Sequence, residues 1–224
     1  MKALQLISLT KTYKSGNSFI KVLDDINLSI YPKEFVSIIG SSGSGKTTLL
    51  NIISGLEYPT TGRVLINESD LADLNEEVRA KFRLKNIGLV FQNYNLIPVI
   101  NVLENIILPA KLDGRKININ EATEIAKILE IEDKLFQMPN LLSGGQQQRV
   151  AIARTLYTKP AVVLADEPTG NLDSKSSANV IKLMKSMSGK FGQTMIVVTH
   201  DNKVAEAADR VIQIEDGKIV SDGK

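Results

Sequence analysis

The residues Gly40-Ser41-Ser42-Gly43-Ser44-Gly45-Lys46-Thr47 match the phosphate-binding pattern G-x-x-x-x-G-K-[ST] at every fixed position. No other stretch constrains the fold as much, because such a loop has to join the end of a strand to the start of a helix. Both flanks comply. Phe35-Val36-Ser37-Ile38-Ile39 is a short β-branched apolar run that reads as a buried strand, and Thr48-Leu49-Leu50-Asn51-Ile52-Ile53 reads as a helix. The glycines let the backbone curl until successive N–H groups point at phosphate oxygens, and the helix N-terminus adds partial positive charge. In a loop of this kind Lys46 reaches the β- and γ-phosphates as a point charge, and the Thr47 hydroxyl ligates Mg2+. A plain Gly/Ser-rich turn is the competing explanation; the Lys-Thr pair and both flanks argue against it.

Composition narrows the partners. The 224 residues carry 27 basic and 25 acidic side chains, a net charge of +2, which gives no electrostatic case for nucleic acid or a membrane surface as the main partner. There is no cysteine, so disulfides and thiolate metal sites are excluded, in keeping with a reducing cytoplasm. Met1 to Leu6 lacks the apolar core of a signal peptide, and no apolar run approaches the roughly 20 residues of a spanning helix. The chain is not expected to cross a membrane by itself.

Along the chain, β-rich runs at Leu4 to Leu9, Phe19 to Leu23 and Ile26 to Tyr31 predict a small antiparallel sheet, broken by Lys14 to Ser18 and by Pro32. Tyr13 follows the first run. It reads as an ordinary surface or core aromatic, or as a ring on which a base could stack. Beyond the loop, Gly62 to Asn67 predicts a strand, Asn75 to Leu84 a charged helix, and Ile87 to Phe91 a buried strand that delivers Gln92 at its carboxyl end, where α/β proteins place ligand-facing groups. From Asn93 to Leu142 the texture turns helical, at Val102 to Leu112 and Asn120 to Leu129. The apolar segment Asn95 to Ile100, interrupted by Pro98, is either covered by the core or open to a partner, with Leu96 and Ile97 the candidate transmission residues.

Leu142-Ser143-Gly144-Gly145-Gln146 has the S-x-x-Q spacing of a capping box, so a helix starts here with its first N–H groups exposed behind two glycines. Local physics alone makes this a well-capped helix, with a second anion site as the sharper possibility. Ala161 to Glu167 is a buried strand ending in two acids. Beside a phosphate loop, Asp166 suits Mg2+ and Glu167 suits orienting or deprotonating a water. Gly170-Asn171-Leu172-Asp173 leads into a helix over Ser176 to Met187. The strand Thr194 to Thr199 then delivers His200, the only histidine, and Arg210 to Ile214 with Lys218 to Val220 form a last strand pair around Asp216-Gly217.

Taken in order, Tyr13, Gly40 to Thr48, Gln92, Leu142 to Gln146, Val162 to Glu167, Gly170 to Asp173 and His200 resemble the aromatic loop, Walker A, Q-loop, signature, Walker B with catalytic Glu, D-loop and switch His of ABC-type ATPases. The signature discriminates, since other P-loop proteins lack it. Phe91 to Pro98, Leu142 to Arg154 and Leu164 to Asp173 are similar to the short ATPase subunits of the macrolide-efflux, lipoprotein-release and antimicrobial-peptide-resistance group. The segment Leu112 to Asn118 is shorter than in some members of that group.

The resemblance implies a single α/β domain. Residues 1–92 and 143–224 would form a RecA-like P-loop core with an antiparallel β-subdomain, and residues 93–142 an α-helical subdomain. It implies ATP and Mg2+ as cofactors. Tyr13, Gly40, Ser41, Ser42, Gly43, Ser44, Gly45, Lys46, Thr47, Thr48, Gln92, Asp166, Glu167 and His200 would bind ATP, with Thr47, Gln92 and Asp166 toward the metal. Lys46, Gln92, Glu167 and His200 would be the catalytic set. Leu142, Ser143, Gly144, Gly145 and Gln146 would face the nucleotide of a second copy, in a homodimer formed on ATP binding. A separate membrane-spanning permease would dock near the Q-loop and the helical segment, holding the chain at the cytoplasmic face. A non-transport ABC ATPase driving a cell-division or envelope-regulating membrane complex shares every motif, so only the partner distinguishes the two.

Overall fold

The computed structural model describes Met1–Gly223, the side chain of Lys190 excepted. β1 (Leu4–Ser15) and β2 (Ser18–Ile30) form a long antiparallel hairpin, and β3 (Phe35–Ile39) leads into α1 (Lys46–Ile53). β4 (Thr61–Ile66), the two-residue β5 (Ser69–Asp70), α2 (Glu76–Asn86) and β6 (Ile87–Val90) follow. Between β6 and the next core helix lie α3 (Val102–Leu112) and α4 (Ile119–Ile128). The chain closes with α5 (Gly144–Tyr157), β7 (Val162–Asp166), α6 (Ser174–Phe191), β8 (Thr194–Val198), α7 (Asn202–Ala207), β9 (Arg210–Glu215) and β10 (Lys218–Gly223). Two sheets result, one of order β2-β1-β4-β5 and one of order β10-β9-β3-β8-β7-β6. The first is antiparallel; in the second every pair except β10–β9 is parallel.

The continuous apolar runs of the central strands have a direct cause: both faces of the larger sheet are covered. Alternate side chains go to different cores. Val36, Ile38, Val162, Leu164, Ile196 and Val198 join α1 and the inner faces of β1, β2 and β4. Phe35, Val163, Ala165, Met195 and Val197 join α3, α4, α5 and α6 on the other side. That second cluster runs without interruption from Val102, Ile106, Ile125 and Leu129 of the helical segment to the sheet.

Several expected boundaries shift for identifiable reasons. Phe19 to Leu23 and Ile26 to Tyr31 are one strand, not two: the Asp24-Asp25 break in the pattern is a bulge, with Asp25 left-handed at φ 54 and its N–H donating to Thr10 Oγ1 at 3.1 Å. α6 starts at Ser174 because Asp173 caps it, accepting from the N–H groups of Lys175 (2.9 Å) and Ser176 (3.0 Å). α7, capped by Asp201, was not expected at all. Leu96 is partly buried. It packs against the larger core, while Arg154 donates to the carbonyls of Tyr94 and Asn95 and the buried Asn105 bonds both the N–H and the carbonyl of Ile97. Ile97 (40 %) and Val99 (77 %) are exposed, as is Pro98 between them.

Candidate functional site

Because β6, β7, β8 and β3 are parallel neighbours, their carboxyl ends share one edge of the sheet. Ile38, Val198 and Asp166 pair across three strands at one level, and Val90 pairs with Ala165 just behind. The chain therefore delivers the loop after β3, His200 after β8, Asp166 and Glu167 after β7, and Gln92 after β6 to a common cleft. This is the crevice in which open α/β sheets bind ligands.

The loop wraps the N-terminus of α1. Gly45 caps the helix at φ 100, a left-handed conformation, and a Cβ there would lie 2.7 Å from the Val22 carbonyl oxygen, so glycine is required twice over. Lys46 is buried. Its Nζ donates to the carbonyls of Gly40 (2.9 Å) and Ser41 (2.7 Å), so the ammonium is held inside the curl of its own loop. Tyr13 lies at the margin of the same loop, its hydroxyl bonded to Glu57 and Thr48 and its ring under the Lys11 ammonium at 4.9 Å. Burial, and then the bond to the Glu57 carboxylate, push the Tyr13 phenol up from its ordinary value.

Glu167 is the most constrained of the acids. Its backbone is left-handed at φ 44, its N–H donates to the Val198 carbonyl at 2.9 Å, and both carboxylate oxygens are engaged. Thr199 Oγ1 donates to Oε2 at 3.0 Å and His200 Nδ1 to Oε1 at 2.7 Å. Asp166 is half-buried beside it. Burial first, and the Glu167 charge second, push its carboxyl up, against an opposing pull from Lys46. A desolvated carboxylate with another at its side favours a hard cation between them and a bound anion.

Gln92 reaches across to the segment Gly170–Asp173, where its Nε2 donates to Asn171 Oδ1 at 3.2 Å. Ser143 caps α5 with Gln146 in a reciprocal capping box, Gln146 Oε1 accepting from the Ser143 N–H at 2.9 Å. Gly144 abuts Tyr94 and Leu172. Among the described residues no hydrogen bond or ion pair links Leu142 to Gln146 with the phosphate loop, Asp166, Glu167 or His200. Within one chain the structure thus brings together the loop, the acids, His200 and Gln92, and leaves the exposed N-terminus of α5 apart. Sequence reasoning missed Thr199; its position before His200 at a strand end was the available signal.

A parallel sheet with this loop after β3 and a pair of acids at the end of β7, separated from β3 by β8 alone, defines a P-loop protein. The sequence profile described as ABC transporter matches residues 23–170, and this chain belongs to that family. It is 45 % identical to an uncharacterized ABC transporter ATP-binding protein, MJ0796, of Methanocaldococcus jannaschii, over 99 % of this chain and 97 % of the relative. It is also 46 % identical to the macrolide export ATP-binding/permease protein MacB of Nitrobacter winogradskyi, covering 98 % of this chain but only 34 % of that longer polypeptide. Among solved structures, a dimeric post-hydrolysis state of the ATP-binding cassette MJ0796 bound to ADP and Pi superposes with a TM-score of 0.89, at 44 % identity over 99 % of this chain and 98 % of the other. The cbiO1 protein of Clostridium perfringens gives 0.87 at 29 % identity, over 99 % and 88 %.

Proposed function

We propose that this chain is the ATP-binding and ATP-hydrolysing subunit of an ABC transporter of the export type, working as a dimer whose closure drives a separate membrane-spanning permease. The observation that carries it is the Glu167, Thr199 and His200 cluster at the mouth of the phosphate loop. The relatives support the rest of the reading: MJ0796 has been solved as a dimer with ADP and Pi, and MacB joins a similar segment to a permease. No helix among the described residues is long and apolar enough to span a membrane. In this reading the subunit sits at the cytoplasmic face through its permease. A cavity of about 390 Å3 lined by Phe91, Asn95, Leu108, Pro109 and Leu112, with exposed Ile97 and Val99 following Asn95 along the chain, suits a docking element of that permease.

The chemistry follows from the side chains. Lys46 exchanges the carbonyls of Gly40 and Ser41 for phosphate oxygens, which keeps the buried ammonium satisfied. Tyr13 lies where an adenine ring could stack. Thr47, Gln92 and Asp166 are hard oxygen donors of the kind Mg2+ takes together with phosphates and water, and the raised Asp166 carboxyl fits a site that gains a cation when nucleotide binds. Bound there, Mg2+ would neutralise charge on the phosphates. His200, by turning from Glu167 toward the γ-phosphate, frees Oε1 to take a proton from water. The water oxygen then bonds to the γ-phosphorus while the bond to the β,γ-bridging oxygen breaks, giving ADP and phosphate. The N-terminus of α5 in a second copy, with Ser143, completes the anion site. Residues 93–142 form the helical subdomain between this site and the permease.

Phosphate release from Mg2+ and ATP tests the assignment. Glu167→Gln keeps the shape and loses the base, so turnover should fall by ~10²–10⁴-fold with ATP binding retained. Unchanged turnover in that variant would remove Glu167 from the mechanism.

A further inference from the structure

Asn171 has been given no role beyond its place in the segment Gly170–Asp173, yet its amide is locked to Gln92 at both ends. Asn171 Nδ2 donates to the Gln92 carbonyl oxygen at 3.0 Å and to Asn93 Oδ1 at 2.9 Å, and Gln92 Nε2 donates to Asn171 Oδ1 at 3.2 Å. The orientation is fixed by chemistry. A backbone carbonyl can only accept, so the nitrogen of Asn171 has to face it; the Asn171 oxygen then lies toward Gln92, which has to answer with its own nitrogen. Gln92 Oε1 is left as the end turned away from Asn171. Gly170 makes room for this arrangement, since a Cβ there would fall 2.8 Å from Gln92 Nε2 and 3.2 Å from its Cδ.

A free carboxamide has two faces of opposite use to a cation: its oxygen is a ligand and its NH2 group repels. Ligands of this kind depend on outer partners that hold the productive atom forward. We propose that Asn171 is a positioning residue that fixes the Gln92 amide with its oxygen presented to the metal and γ-phosphate. The inference rests on the reading of Gln92 as a metal-facing residue. It predicts that the contribution of Gln92 is lost when either half of the clamp is altered, with Gln92 itself intact. Gly170→Ala acts from the other side. The glycine is not left-handed, and the atom in the way is the end of a flexible, exposed side chain, so the methyl displaces Gln92 and leaves the fold alone.

The experiment is ATP binding to the full chain in a Glu167→Gln background, in which turnover is slow, measured by titration with Mg2+ and again in EDTA. The ratio of the two affinities isolates the metal-dependent part. Asn171→Ala, Gly170→Ala and Gln92→Ala should each shrink that ratio by about 10-fold, while the affinity in EDTA and the melting temperature stay within error of the parent. If Gln92→Ala shrinks the ratio and Asn171→Ala does not, the positioning role is overturned and the reading of Gln92 survives. If Gln92→Ala leaves the ratio unchanged, the reading of Gln92 fails, and the inference with it. Equal losses of affinity in Mg2+ and EDTA for Asn171→Ala would also overturn the proposal, as the mark of a merely structural defect. A second readout needs no nucleotide. The side-chain NH2 signals of Gln92 in a 15N spectrum should move on Asn171→Ala if the clamp exists in solution, and their persistence at the parent positions would contradict it.

Discussion

Asp173 shows how much of an element can rest on one side chain. It accepts from the N–H groups of Lys175 and Ser176 and from Ser176 Oγ at 2.6 Å, and these bonds, led by the Ser176 hydroxyl, hold its carboxyl below its ordinary value. An acid whose folded pKa is depressed contributes stability that is complete above the unfolded value and is lost as pH falls through the folded one. Asp173→Ala should therefore lower the melting temperature at neutral pH, and the gap to the parent should close as pH drops below the usual carboxylate range. A gap of constant size from pH 7 to pH 3 would show that the carboxylate charge is not what caps α6. Glu167 makes a related point about backbone: its φ of 44 is a conformation that costs a non-glycine residue about 1–2 kcal/mol, tolerated here where the N–H bond to Val198 and the Thr199 and His200 contacts hold it.

The connection from β6 to α3 is where local pattern and packing part company. Leu96 is partly buried against the core and Ile97 and Val99 are surface, so Leu96→Ser should destabilise the isolated chain by ~1–3 kcal/mol, whereas Ile97→Ser and Val99→Ser should leave its melting temperature and basal ATPase rate near normal. In the complex those two variants should lose permease binding and permease-stimulated hydrolysis. Normal stimulation with both would place the docking surface elsewhere. Elements were legible in the sequence where period and punctuation agreed: β3, α3 and the capping box at Ser143 needed no tertiary information. Asp25 was not legible as a bulge, because a polar break in an alternating run looks the same whether the strand ends or merely kinks. The packing of Leu96 against the core was not legible, because the segment is fixed by the Asn105 amide bonded to the backbone of Ile97 and by Arg154, far along the chain, bonded to the carbonyls of Tyr94 and Asn95. Among candidate site residues, Lys46 was read from the loop pattern and Asp166, Glu167 and His200 from their positions at strand ends, while the contacts that Thr199 and Asn171 make are set by side-chain geometry.

At the scale of the whole molecule, the decisive arrangement is a separation. The phosphate loop, the two acids, His200 and Gln92 gather at the carboxyl edge of one sheet, while the exposed end of α5 makes no hydrogen bond or ion pair with the loop, the acids or His200 among the described residues. In the proposed function Ser143 and the N–H groups behind it are half an anion site, and a second copy of the chain has to supply each site with that half. The direct measurement is the mass of Glu167→Gln by size exclusion with light scattering, with and without ATP. A monomer is expected without nucleotide and twice that mass with it, because ATP bound and not hydrolysed holds the two copies together. A strictly monomeric profile at high protein concentration, with ATP binding confirmed by titration on the same sample, would contradict it.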